Sequence, residues 1–141
     1  MARSEGPRVI VDTNVLFSAV AHRHGAPARV LLAVLSGQML VSPALLDEYR
    51  RVLGHPRGLS YLGIATVDLD ILLDFIAGAA LIAPGGLGPE CPDPGDQHLW
   101  DLLAAGPNSI LVTGDRKLLA SQHFPGRILS PRDFVDSFLE A

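Results

Sequence analysis

The chain has 141 residues, enough for one domain with a buried core and too few for two typical domains. It is 48% hydrophobic and 18% charged with a net charge of −4, which excludes a disordered chain and a protein that grips nucleic acid by bulk positive charge. Phe75 to Leu87 is the longest stretch without a polar side chain, and Gly78, Pro84 and Gly85-Gly86 break it, so no membrane span is expected. The residues before Arg8 lack the apolar core of a secretory signal, and the single cysteine, Cys91, has no partner for an internal disulfide. A cytoplasmic protein with a flexible N-terminus over residues 1–7 is expected. The surplus of apolar residues predicts a surface covered by a partner, with Val67 to Ala80 and the helices between Asn14 and Leu35 as its main contributors.

In chain order, Val9-Ile10-Val11 is a short β-branched run without charge, as in a strand buried on both faces. It ends in Asp12, and a first helix follows from about Asn14 to Ala21. His22-Arg23-His24-Gly25 breaks that helix, and Pro27 begins a second one through Leu35. Gln38 to Val41 is a second strand. Ser42-Pro43 is a cap followed by a first-turn proline, opening a helix to about Leu53 with Leu45, Tyr49, Val52 and Leu53 as its apolar stripe. His55-Pro56-Arg57-Gly58 is expected as a loop, and Leu59 to Ile64 fits either loop or short helix. Thr66 is expected to cap a helix carrying Val67, Ile71, Leu72 and Phe75. Ala80 to Ala83 is a third strand, followed by the Pro- and Gly-rich loop Pro84 to Pro94. Asp96 to Ala105 is helical, Ser109 to Val112 a fourth strand, and Lys117-Leu118-Leu119 a short helix. Arg127 to Leu129 offers a fifth strand before Ser130-Pro131-Arg132-Asp133 opens the last helix. Strands alternating with helices predict an α/β fold: three layers, with a mostly parallel sheet of four to five strands.

Four acids stand where such a sheet binds ligands. Asp12 and Asp115 each follow a buried strand at its carboxyl end. Glu48 lies three residues after Leu45 and four before Val52, on the apolar stripe, whereas Asp47 is rotated about 100° toward solvent. A carboxylate facing a core is costly unless it is paired or metal-bound. Asp93 can cap the helix after it, which leaves Asp96, three and seven residues before Leu99 and Leu103, facing inward. Capping and turn roles remain open for Asp12 and Asp115 taken singly. Parallel strands bring their carboxyl ends to one edge, so the four acids are expected to converge there. Carboxylates gathered without enough Lys or Arg repel one another unless a hard cation such as Mg²⁺ or Mn²⁺ neutralises them. Such a site can activate water and stabilise an in-line displacement at phosphorus.

Val11-Asp12-Thr13-Asn14-Val15-Leu16, Ser42-Pro43-Ala44-Leu45-Leu46-Asp47-Glu48, Asp93-Pro94-Gly95-Asp96 and Val112-Thr113-Gly114-Asp115-Arg116-Lys117-Leu118-Leu119 resemble, in that order, the motifs of the PIN-domain family. The spacing is most similar to the bacterial branch of toxin components of toxin–antitoxin pairs (VapC-like). The resemblance extends from Arg8 to Phe134 and implies a metal-dependent ribonuclease with a PIN-like three-layer fold. It implies Asp12, Glu48, Asp96 and Asp115 as catalytic and metal-holding acids, with Thr13, Asn14, Asp93 and Thr113 in support. It also implies Mg²⁺ or Mn²⁺ as cofactor, an RNA substrate, an antitoxin partner and a homodimer. Arg116 and Lys117, beside Asp115, are candidates for contact with backbone phosphate. Weaker readings are a zinc site from Cys91, Asp93 and His98, phosphate contacts by His22-Arg23-His24, a different metal-dependent phosphoesterase, and a PIN-fold RNA- or protein-binding module that does not cut. In the zinc reading, His98 is expected on another helix face from Asp96. Phosphatases with an aspartyl nucleophile need a second acid where Asn14 stands.

Overall fold

Val9–Val11, wholly shielded from solvent, form the central strand (β1) of the computed structural model, which describes residues 6–140. Then come α1 (Thr13–Ala21), α2 (Ala26–Val34), β2 (Leu40–Val41), α3 (Pro43–Leu53), α4 (Pro56–Leu62), α5 (Thr66–Ala79) and β3 (Leu81–Ile82). A 3₁₀ turn at Pro94–Asp96 leads into α6 (Gln97–Ala105), β4 (Ile110–Val112), α7 (Arg116–Leu119), β5 (Ile128–Leu129) and α8 (Pro131–Phe134), which runs on into a π-helical turn at Val135–Leu139. β1 pairs in parallel with β4, with Val9 opposite Ile110 and Val11 opposite Val112, and β4 pairs in parallel with β5. β2 and β3 form a second parallel pair. A single parallel bridge, Val9 to Met39, joins the two groups, helped by the Val9 N–H donating to the Gln38 carbonyl at 2.8 Å. The strand order is therefore β3-β2-β1-β4-β5.

That order places the site. The chain leaves β1 toward β2 and β3, then crosses back to β4 on the other side of β1. The crevice at the carboxyl ends of β1 and β4 is thus a topological switch point, where open α/β sheets bind ligands. Because β1 and β4 are buried on both faces, helices cover the sheet from both sides, and Leu16, Leu45, Tyr49, Leu99, Trp100 and Leu103 fill the space between.

Two local expectations are corrected. His55-Pro56-Arg57-Gly58 is not a loop: α4 begins at Pro56, with the His55 Nδ1 accepting from the Arg57 N–H at 3.1 Å. Gly63, at a φ of 68°, supplies the left-handed residue that ends this helix. Thr66 does not cap α5; Ala65 occupies that position, and Asp68 accepts from the Ala65 N–H at 2.9 Å. The inward stripe of α5 is Leu69, Leu73 and Ile76, while Val67, Ile71 and Phe75 are exposed. The expectation of a flexible N-terminus falls, for residues 1–5, outside the described residues.

At the far end of the sheet one side chain gathers three carbonyls. Arg127, entering β5, donates from its guanidinium to the carbonyls of Leu103, Gly106 and Ser109 at 2.6–2.9 Å. These include carbonyls at the end of α6, which lack partners within the helix.

Candidate functional site

Asp12 is the first residue beyond β1 and caps α1. Its Oδ1 accepts from the Thr13 N–H at 2.7 Å, and its Oδ2 accepts from the Thr113 hydroxyl at 2.7 Å and from Asn14 Nδ2 at 3.4 Å. Thr113, fully buried after β4, gives its one proton to Asp12 and accepts the Asp115 N–H at 3.0 Å. Asn14 bridges the same gap, since its Oδ1 accepts from the Gly114 N–H at 3.2 Å. The ends of β1 and β4 are thus tied together by polar side chains, with a carboxylate on each. Burial raises the Asp12 carboxyl above its ordinary range. The Thr113 and Thr13 hydrogen bonds oppose that rise, and the charges of Glu48 and Asp115 add to it.

Glu48 comes from the other side of β1, on α3. Tyr49 next to it is fully buried and donates its hydroxyl to the Val11 carbonyl, fixing α3 against the end of β1. Asp96 stands where the 3₁₀ turn becomes α6 and makes no side-chain cap. Asp93 caps that turn through the Gly95 N–H at 3.0 Å, as its spacing suggested. Asp12, Glu48, Asp96 and Asp115 line one cleft of about 490 Å³, together with Thr13, Asn14, Phe17, Ser18 and Val52.

Two groups of donor atoms are close enough to share a cation. One oxygen each of Asp93, Asp96 and Asp115 lie within 4.8 Å of one another, and so do donor atoms of Glu48, Asp96 and His98. Asp96 belongs to both groups. Its carboxyl is pushed up to about 6, first by burial and then by the charges of Asp12, Asp93 and Glu48, with His98 opposing. Asp12 stands outside both groups with its oxygens hydrogen-bonded, although each carboxylate oxygen has a lone pair to spare. The Thr13 hydroxyl is buried without a hydrogen-bond partner in the wall of the same cleft. Hard carboxylate donors beside an orphaned hydroxyl fit an oxygen-liganded divalent cation and its waters.

His98, offered by the sequence only in the weak zinc reading, is the residue whose place the structure changes. Its Nε2 lies 2.8 Å from Glu48 Oε1, both side chains being largely buried. It does share the neighbourhood of Asp96, contrary to the different face expected for it. Cys91 does not belong with it: the thiol is buried, raised by that burial, and is not among these donor groups. Arg116 and Lys117 are exposed on α7 beside Asp115, and His22-Arg23-His24 form an exposed turn.

The fold and cleft together define an α/β protein with carboxylates gathered at the switch point of a parallel sheet. A profile of the PIN domain matches residues 8–117, and the chain belongs to that family. Its fold is accordingly of nuclease type; PIN domains usually use divalent metal ions, and PIN nucleases act on RNA. The chain is also similar to the uncharacterized protein MJ1680 of Methanocaldococcus jannaschii, with 25% identity over 142 residues covering 93% of this chain and 91% of that protein.

Proposed function

We propose that this protein is a metal-dependent endoribonuclease that hydrolyses RNA phosphodiester bonds, and that it is the toxin of a toxin–antitoxin pair. The observation that carries the reading is the presence of Asp12, Glu48, Asp96 and Asp115 in the wall of one cleft. Asp12, Asp96 and Asp115 would hold Mg²⁺ or Mn²⁺, with Glu48 binding directly or through water. When bound, the cation supplies activation of water and neutralisation of charge on the phosphate. The side chains around it orient and position. Thr113 and Asn14 fix the Asp12 carboxylate across the gap between β1 and β4, and His98 holds Glu48. Asp93 keeps the turn before α6 in shape, and Arg116 and Lys117, exposed beside Asp115, would meet a phosphate of the bound strand.

The proposed partners are an antitoxin and a second copy of the chain, in the cytoplasm. Exposed Val67, Ile71 and Phe75 on α5, with Leu81 and Ile82 on β3, support that reading as apolar surface for a partner to cover. Among the described residues no helix is long and apolar enough to cross a membrane.

The test is incubation of the purified protein with a panel of structured and unstructured RNAs, with Mn²⁺ and with EDTA. Cleavage by the wild type in Mn²⁺ only, and none by Asp12→Asn, is the expected result. RNA that is bound but never cut would replace this reading with that of a binding module.

A further inference from the structure

A second cavity of about 390 Å³, with a different chemistry, adjoins the acidic cleft. Phe17 and Val52 belong to both walls, and Arg51, His55, Arg57 and Gly58 complete the second. Its shape comes from a close approach of helices. A Cβ on Gly58 would stand 2.7 Å from the Val52 carbonyl oxygen and 3.0 Å from that of Leu53, so glycine lets α4 press against the end of α3. On the same helix, Tyr61 stacks on Phe17 with centroids 5.7 Å apart and planes at 24°, yet Tyr61 is 66% exposed. An aromatic ring is thus held parallel to a neighbour while much of its surface faces water.

The cations here are available. Arg29, Arg50 and Arg132 are each paired with a carboxylate, at 2.6, 2.7 and 3.6 Å respectively. Arg51 and Arg57 are exposed and form no ion pair among the described residues. Along the sheet edge, α3 follows β2 and α7 follows β4, the strands that flank β1. Free cations therefore lie on both flanks of the acids: Arg51 and Arg57 on one, Arg116 and Lys117 on the other. A polyanion crossing the acidic cleft meets positive charge before and after it.

We infer that the exposed face of Tyr61 and the arginine-lined cavity next to its stacking partner Phe17 together bind a single-stranded RNA, with one unpaired base stacked on Tyr61 and the adjoining phosphates held by Arg51 and Arg57. Stacking on an aromatic face combined with backbone cations is how single strands are held without sequence readout. A paired base has no free face to offer, so the site selects unpaired segments. An acidic peptide would use the arginines and leave the ring idle. The inference rests on the nuclease reading for the path of the strand, and its test separates the two.

The test is fluorescence anisotropy of a labelled short oligouridylate with the full chain in EDTA, where metal-dependent cutting is off, across a salt series. Tyr61→Leu should weaken binding by about five- to a hundredfold with an unchanged salt slope. Tyr61→Trp should bind at least as well as the wild type. Arg51→Gln and Arg57→Gln should each weaken binding and lower the salt slope by about 0.7. Binding by Tyr61→Leu within twofold of the wild type, or equal binding of polyglutamate, would overturn the inference. So would an oligouridylate that does not bind at all. If these variants behave as expected and Mn²⁺ still brings no cleavage, the nuclease reading fails and the nucleotide site stands. If Tyr61→Leu both binds and cuts as the wild type does, the nucleotide site fails and the nuclease reading stands.

Discussion

Asp96→Asn separates a metal ligand from a structural residue, because Asp96 is crowded by charge and makes no cap. Its carboxyl is raised from 3.8 to about 6 in the folded chain. An acid whose folded value is raised favours the folded state when protonated, so this contribution to stability falls as pH climbs from about 4 to about 6 and stays low above. Taken at face value the rise corresponds to about 3 kcal/mol. Coulomb repulsion between charges 4.8 Å apart gives about 1 kcal/mol in water and about 3 kcal/mol at an effective dielectric of 20. Asp96 is half-buried, and solvent screening brings the figure to about 1–2 kcal/mol. The favourable position at the start of α6 returns about 0.5 kcal/mol that the variant loses. In EDTA at pH 7.5, Asp96→Asn should therefore melt about 3 °C above the wild type, and the gap should close by pH 4. In Mn²⁺ the order should invert, because a cation bound to the native state stabilises the chain that keeps its ligand. Thermal melts at both pH values, in EDTA and in Mn²⁺, check this. A variant that melts lower in EDTA at pH 7.5 would make Asp96 a structural residue, and melts whose order ignores Mn²⁺ would remove it from the metal centre.

Tyr49→Phe deletes the buried hydroxyl that ties α3 to the end of β1 and should cost about 1–2 kcal/mol in urea denaturation, equally with and without metal. Arg127→Met leaves the carbonyls of Leu103, Gly106 and Ser109 without their guanidinium and should cost about 2–4 kcal/mol. Because Arg127 sits at the opposite end of the strands from the acids, the folded fraction of that variant should keep the wild-type rate of RNA cleavage, measured per active molecule.

The central strands were legible because Val9–Val11 and Ile110–Val112 are apolar runs that end in polar residues, a pattern that few other elements produce. Glu48 was legible from its phase on α3, where Leu45 and Tyr49 turned out to be buried. His98 was hidden by the backbone. Counting from Asp96 assumes one regular helix, but Asp96 has φ −107° and ψ 14°, and the 3₁₀ turn before α6 shifts the phase. The inward face of α5 was hidden for a different reason. Its sequence carries two apolar stripes at helical spacing, and periodicity alone does not say which one meets the core. His55 escaped notice as a cap because histidine is not among the residues usual there, although Pro56 at the first helical position was a usable signal.

The hydrogen bond from Thr113 to Asp12 closes a loop of 101 residues. Closing so long a loop costs chain entropy that only late contacts repay. On the ribosome, β1 and its carboxylate emerge early, with β2 and Glu48 soon after, but the strand that completes the other wall is made only after α6. A nascent chain halted before Ile110 has three of the four acids, yet neither the hydroxyl that orients Asp12 nor the second side of the crevice. The order of synthesis therefore keeps the cleft open and incomplete until β4 and Asp115 exist, and products truncated before them inherit that incompleteness.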